Sequence, residues 1–305
     1  MIDDHYRRTV ELLLDITPGI FAEPLFAMKG GTAINLFLRD LPRLSVDIDL
    51  VYLDRDQPRE QALPAIEGTL GRVSDRLRKM PGISVTRPTG KGDRTMLVTR
   101  GRARVKVEVN TTLRGTLHTP VIARPTPATM HEFRREVQIK MMDPDELYGG
   151  KLVAAMDRQH PRDLFDVMHL WEVGGSITPR MRRAFVVYVA CSDRPIGELL
   201  TPHPKPIAAD YSSTFDGMMT VAVTLERLEA TRERLFRELP VSLDEPERRF
   251  LLSIKAGEPD WDLLGIPGIE MLPGIQWKLL NIRKLRRRPA RHQQQYELLR
   301  QKLGL

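Results

Sequence analysis

The stretch Lys29–Leu50, KGGTAINLFLRDLPRLSVDIDL, limits what this chain can fold into more than any other. Near its end, Asp47 and Asp49 alternate with Val46, Ile48 and Leu50, the period of a strand with acids on one face and apolar side chains on the other. Carboxylates at such spacing lie about 6–7 Å apart. They repel each other, and burying them unpaired costs several kcal/mol. The strand therefore predicts a core behind it and a cation in front of it.

Mg2+ suits that place, because it takes one or two carboxylates and completes its shell with water and substrate phosphates. Upstream, Gly30-Gly31-Thr32 follows the apolar run Leu25–Met28 and opens a short helix, Thr32–Arg39. Glycines let the backbone approach a phosphate, and the N–H groups at a helix start favour its negative charge. A lone Asp-x-Asp is usually a solvated edge or turn, and a lone Gly-Gly a loop. Here apolar run, glycine turn, helix and acid strand come in the order that a phosphate-and-metal unit needs, and they predict nucleotide chemistry.

At these residues, KGGTAINLFL with RLSVDIDL, the chain resembles the AbiEii/MenT nucleotidyltransferase toxins, whose fold is similar to the DNA polymerase β nucleotidyltransferase superfamily. The resemblance implies that Gly30, Gly31 and Thr32 help to bind a triphosphate. It places Arg43 and Ser45 in the same nucleotide-binding stretch and implies that Asp47 and Asp49 hold Mg2+.

At 305 residues the chain can bury a substantial core and form two domains. No apolar run reaches about 18 residues, and charges interrupt the apolar residues of the N-terminal MIDDHYRRTVELLLDI. Neither a membrane span nor a signal peptide is expected. The single Cys191 cannot form an internal disulfide, which suits a reducing cytoplasm. A formal charge of +7 favours phosphate-rich partners. The cations cluster in Lys278–Arg291, where Lys278, Arg283, Lys284, Arg286, Arg287, Arg288 and Arg291 occur without an acid. Such a run is either a solvated flank or an RNA-docking surface, for which Arg283, Lys284, Arg286, Arg287 and Arg288 are the candidates.

In chain order, an amphipathic helix is predicted over Asp3–Ile16, ended by Pro18-Gly19, then a strand at Leu25–Lys29, the motif helix, and the acid strand through Leu53. Arg55–Met80 has helical spacing, with a possible break at Pro64, and period-two strands follow at Ile83–Arg87, Met96–Arg100 and Ala103–Thr111. In the last of these, Ala103, Val105, Val107 and Val109 face a core and Arg104, Lys106, Glu108 and Asn110 face away. If it lies beside the acid strand with the same face outward, Glu108 is a third carboxylate. Polymerase-β-like enzymes commonly use a third acid on a neighbouring strand as the base for the attacking hydroxyl. The plainer reading is an exposed acid beside Lys106. Pro120–Pro127 reads as a connection and Val137–Met141 as one more strand.

Asp143-Pro144-Asp145 is a strong helix start. It is taken as the boundary between an α+β, polymerase-β-like nucleotidyltransferase domain (1–142), with a small mixed sheet flanked by helices, and a mainly helical domain (143–305). The stretch DPDELYGGKLVAAMDRQHPRDLFDVMHLWE resembles the second motif block of the same family. Lys151 and Arg158 are two helical turns apart and share a face able to grip a triphosphate, and the family's matching lysine binds the nucleotide's phosphates. His160-Pro161 breaks the helix; Asp163 and Asp166 share a face of the next one. One of the two matches the family's second-block acid, which orients the lysine or arginine, though Asp163 could instead cap its own helix. Helices are predicted at Thr178–Ala190, Leu225–Leu239 and Pro246–Ala256, with Trp261, Trp277, Leu279 and Leu280 as core contacts between helices. The remaining histidines show no metal spacing, and no nucleophile elbow or Walker loop occurs.

The expected activity is Mg2+-dependent transfer of a nucleoside monophosphate from an NTP. The resemblance implies an RNA acceptor, the tRNA 3′ end, so that translation stops, and a neighbouring antitoxin within a toxin–antitoxin or phage-defence pair. The alternatives are an aminoglycoside-type or protein nucleotidyltransferase, or an inactive RNA-binding module.

Overall fold

The structure, a computed structural model, describes residues 4–87 and 94–305, so Asp3 lies outside the described residues. The chain divides into two compact units, Met1–Leu147 with Ser212–Val223 and Tyr148–Tyr211 with Thr224–Leu305.

The first unit opens with helix α1 (Asp4–Phe21) and strand β1 (Phe26–Lys29). Helical residues Gly30–Thr32 (α2) then lead into a π-helical turn, Ala33–Leu38. Strand β2 (Asp47–Tyr52), helix α3 (Arg59–Arg78) and strands β3 (Ser84–Thr86), β4 (Thr95–Arg100) and β5 (Ala103–Asn110) come next. Strand β6 (Val121–Ala123), helix α4 (Pro127–Phe133) and strand β7 (Ile139–Met141) follow, and Ser212–Val223 joins this unit from later in the chain. The seven strands form one mixed sheet in the order β3-β4-β5-β2-β1-β7-β6, parallel at β5/β2 and β1/β7 and antiparallel elsewhere. The α+β class expected from the sequence is the one observed. Ile48, Leu50, Met96, Val98, Val105 and Val107 are buried, and α1 packs along β5 and β7 while α3 packs on α1 and β3.

Three local expectations are corrected. Helix α1 runs through Pro18 to Phe21 rather than stopping at Pro18-Gly19. A Cβ on Gly19 would lie 2.7 Å from Leu77 Cδ2, so this last turn nests against α3, and Arg76 Nη1 donates to the Gly19 carbonyl at 2.6 Å. That packing, with Ile20 buried, outweighs the one hydrogen bond Pro18 removes. Helix α3 starts at Arg59, not Arg55, and is unbroken at Pro64. The connection read at Pro120–Pro127 contains the edge strand β6, paired to β7. Three residues between prolines are too few to show alternation, and an edge position tolerates the flanking prolines.

In the second unit, α5 (Pro144–Asp157) supplies residues from Tyr148 onward, followed by α6 (Pro161–Gly174), α7 (Pro179–Cys191), α8 (Ile196–Leu200) and α9 (Ala208–Asp210). After residue 223 come α10 (Leu225–Ser242), α11 (Glu245–Ala256), α12 (Pro273–Arg286) and α13 (Pro289–Leu303). Some of the starts are closed by side chains: Thr178 accepts from Met181 N at 3.1 Å, and Asp244 with Glu247 forms a capping box. Leu279 is buried and Trp261 packs near Phe250, but Trp277 and Leu280 are exposed rather than in the core.

Adjacent glycines in α5 give a test of the packing. A Cβ on Gly149 would lie 2.5 Å from Ala184 Cβ and 2.8 Å from Phe185 N, whereas one on Gly150 would be 3.9 Å from Tyr188. Backbone cannot swing aside, so Gly149→Ala should destabilise by about 1–3 kcal/mol. Gly150→Ala should be neutral or stabilise by up to about 1 kcal/mol through helix propensity. Denaturant unfolding checks both, and equal midpoints would contradict the close approach of α5 and α7.

Candidate active site

The turn after β1 is built by close approach. Gly30 has φ +76°, and a Cβ there would collide with the Asp49 carboxylate. A Cβ on Gly31 would lie 2.8 Å from Arg43 Nη2 and 3.2 Å from Ser45 Oγ. The Thr32 hydroxyl is hydrogen-bonded to Ser45 Oγ at 2.9 Å and to the Asp47 carbonyl, fastening the helix start to the start of β2. Asn35 Nδ2 donates to the Gly31 carbonyl at 2.9 Å. The first N–H groups of a helix have no partner within it, so this turn presents backbone donors directly beside an acid strand.

Register carries the acids onto one face. Lys29 pairs with Asp49 across β1/β2, and Asp47 and Asp49 pair with Lys106 and Glu108 across β2/β5. Paired residues share a face, so Asp47, Asp49 and Glu108 stand on the side opposite Ile48, Leu50, Val107 and Val109. The condition under which Glu108 becomes a third carboxylate is met. Its carboxylate is ion-paired with Lys106, both about half exposed. That hydrogen bond raises the Lys106 pKa, with the nearby Asp47 and Asp49 charges adding to the effect.

Sequence reading missed one cation on this face, Lys29, and gave Lys106, which it placed beside Glu108, no role in the site. The signal for Lys29 was available, since it directly precedes the glycines. Also missed was the long-range clip on the loop before β2. Leu44 N donates to the Met218 carbonyl at 2.7 Å, Arg43 bridges Met219, and Thr220 N donates to the Pro42 carbonyl at 3.1 Å. Arg43 is 1% exposed and donates to the Leu44 carbonyl at 2.9 Å, so its charge lies behind the glycine turn.

Among the described residues no group of three or more His, Cys, Asp or Glu side chains is arranged to hold a metal ion. Asp47 and Asp49 nonetheless supply hard oxygen donors from one strand face next to a glycine turn with no room for a Cβ. This donor set fits Mg2+, which needs only one or two carboxylates when phosphates and water complete the shell.

The second motif block is a buried ion network. Lys151 Nζ lies 2.8 Å from Asp163 Oδ1 and 2.8 Å from Asp166 Oδ2, and Arg158 Nη2 lies 3.0 Å from Asp163 Oδ2. Both aspartates therefore engage the lysine. Asp163 does not cap its helix; His160 does, its Nδ1 accepting from Arg162 N at 3.1 Å. Burial and the Arg162 charge lower the His160 pKa, which keeps that nitrogen available as an acceptor. Burial alone would raise the Asp163 pKa, but Lys151 and Arg158 outweigh it and the net shift is downward.

In the basic run Arg283, Lys284, Arg286, Arg287 and Arg288 are all exposed, and Arg286 pairs with Glu258 at 3.2 Å. Lys278 is an exception to the solvated flank. It is buried, donates to the Ser192 carbonyl at 2.7 Å and the Arg194 carbonyl at 2.5 Å, and burial pushes its pKa down to about 8. No helix among the described residues is long and apolar enough to cross a membrane.

Residues 12–279 match a family model described as nucleotidyl transferase AbiEii toxin, type IV TA system. The fold is similar to the solved structure of MenT4, a nucleotidyltransferase toxin from Mycobacterium tuberculosis H37Rv, with a TM-score of 0.61 and 17% identity over 91% of this chain and 93% of that one. No curated protein matches the sequence.

The Lys151 network predicts a stability signature. Because the Asp163 pKa is lowered on folding, its contribution is present above the ordinary carboxylate pKa and is lost as pH falls through the lowered value. Unfolding free energy should therefore drop below about pH 4, less steeply in Asp163→Asn. Lys151→Met takes the shared ammonium away from two buried carboxylates, of which Asp163 keeps Arg158, and should cost about 3–5 kcal/mol. Adding Asp163→Asn and Asp166→Asn should recover part of that loss; no recovery in urea titrations would show that the lysine acts mainly through packing.

Proposed function

The chain belongs to the AbiEii nucleotidyltransferase toxin family of type IV toxin–antitoxin systems, and from that premise we propose that it transfers a nucleoside monophosphate from an NTP to an RNA acceptor, the 3′ end of tRNA. The observation that carries the reading is the row of Asp47, Asp49 and Glu108 on one sheet face, with the Gly30–Thr32 turn against Asp49.

In this reading Asp47 and Asp49 hold Mg2+, and Gly30, Gly31 and Thr32 receive phosphates on backbone N–H groups, with Arg43 and Ser45 supporting the turn from behind. Mg2+ supplies positive charge to the triphosphate and to the departing pyrophosphate. Lys151, fixed by Asp163 and Asp166, and Arg158 bind phosphate oxygens. The acceptor hydroxyl oxygen bonds to the α-phosphorus, the bond to the bridging oxygen of the β-phosphate breaks, and pyrophosphate leaves with those electrons. Glu108 takes the hydroxyl proton, exchanging its partner Lys106 for the acceptor. Residues 1–142 carry the chemistry and 143–305 the added phosphate contacts and the RNA surface at Arg283, Lys284, Arg286, Arg287 and Arg288. An occupied tRNA 3′ end cannot be aminoacylated, which accounts for toxicity in a cytoplasmic, phage-defence setting. Family membership implies a protein antitoxin as the restraining partner.

Incubation with each labelled NTP, Mg2+ and total tRNA tests this. Label should enter RNA with the wild type, disappear with a chelator, and fall by about 10³-fold in Asp49→Asn, the several kcal/mol expected from removing a metal ligand. A melting curve should show Asp49→Asn folded. Glu108→Gln should lose about 10²–10⁴-fold. RNA labelling by Asp49→Asn at the wild-type rate would refute the site, and label entering only small molecules or protein would refute the RNA acceptor.

A further inference from the structure

Helix α12 is two-sided in an unusual way. Ile275, Lys278, Leu279 and Ile282 are buried, and the helix packs on α7, α11 and α13. On the other side Trp277, Leu280, Arg283, Lys284 and Arg287 recur at three- and four-residue spacing, one continuous stripe of helix surface. Trp277 is 47% exposed and Leu280 45%. The other two tryptophans are covered, Trp171 by Arg234 at 4.2 Å from its ring centroid and Trp261 beside Phe250. Lys284 Nζ lies 5.9 Å from the Trp277 ring centroid.

Trp277 and Leu280 lie one helical turn apart and together leave a contiguous apolar patch at the surface, the kind of feature that marks where something binds. The stripe also narrows what that something is. From residue 271 to residue 296 the sequence has no acid, and Arg283 and Arg287 have no acidic partner among the described residues. An apolar protein partner would have to desolvate these cations. A polyanion with flat aromatic groups satisfies both halves of the stripe: its bases stack on the indole while its phosphates meet the cations, the combination by which proteins hold single strands. A duplex, whose bases stack on one another, offers the indole nothing.

We propose that the exposed face of α12 binds an unpaired stretch of RNA, with Trp277 as the stacking platform and Arg283, Lys284 and Arg287 on the backbone phosphates. This deepens the RNA-acceptor reading and rests on it for the choice of polyanion.

The test is fluorescence anisotropy with a fluorescein-labelled single-stranded RNA oligomer, and with its duplex, across a KCl series. Trp277→Ala should weaken single-strand binding by about 5–100-fold and leave the duplex and the salt slope unchanged, and Trp277→Phe should restore most of the loss. Arg283→Gln/Arg287→Gln should flatten the slope of log K against log salt by about 0.7 per cation removed. Wild-type protein that binds no single strand, or Trp277→Ala that binds it as the wild type does, overturns the proposal. So does a wild type that self-associates where Trp277→Ala is monomeric with RNA binding unchanged, since the face would then join two copies. Labelling of total tRNA reports the transfer reading separately. Labelling without Trp277 dependence sinks only this inference; Trp277-dependent binding without labelling sinks only the transfer reading.

Discussion

The register of β1, β2 and β5 is the constraint on which the acid face depends. Side chains alternate strictly along a strand, so a slip of one residue would turn Asp47, Asp49 and Glu108 into the core and Ile48, Leu50, Val107 and Val109 out to water. Exposing the apolar set loses burial worth about 1.5–3 kcal/mol per side chain, and burying the acids costs several more each. Both penalties point to the same register. The β2/β5 pair is parallel, which no tight hairpin can connect. The chain makes the crossover through α3, whose Ile66, Leu70, Val73 and Leu77 are buried. The alignment of Asp49 with Glu108 thus depends on a connection that runs through a packed helix rather than a tight turn.

A second constraint is the absence of side chains at Gly30 and Gly31. Each lies where a Cβ would strike a neighbouring side chain, Asp49 in one case and Arg43 in the other. The same contacts that exclude a Cβ hold the loop before β2 in place, and the segment 218–220 pins that loop from outside. The buried Arg43 guanidinium adds a fixed positive charge behind a turn whose backbone N–H groups already favour anions.

How far the sequence could be read follows from the range of the forces involved. Alternation on β2 and β5 is a local pattern, so Asp47, Asp49, Glu108 and the buried valines were legible. The paired block around Lys151 was legible as charges at helical spacing. What stayed hidden depends on partners distant in the chain. Pro18 and Gly19 look like a stop until Leu77 and Arg76 arrive from α3. The π turn Ala33–Leu38 and the clip at 218–220 leave no local signature, and β6 is too short to show a period. Lys278 and Trp277 are adjacent in the sequence, yet the cation is buried and the indole exposed, because helix α12 turns about 100° per residue and only the packing of α7 and α13 decides which side is inward.

The Lys151 network shows why charge spacing alone misstates what a lysine can do. Two carboxylates and one buried ammonium would leave a net negative charge in a dry place, and the exposed Arg158 supplies the balance. Such a buried set is seldom the most stable solution, since apolar residues of equal volume would avoid the desolvation. What it provides is rigidity. A lysine free in solvent gives up about 1.5–2 kcal/mol of rotamer entropy when it closes on an anion, whereas Lys151 has already given it up on folding. Its ammonium has three N–H donors, and Asp163 and Asp166 direct two of them. The third therefore has a fixed direction, and a phosphate oxygen meeting it would gain a charge-assisted bond without that entropic loss.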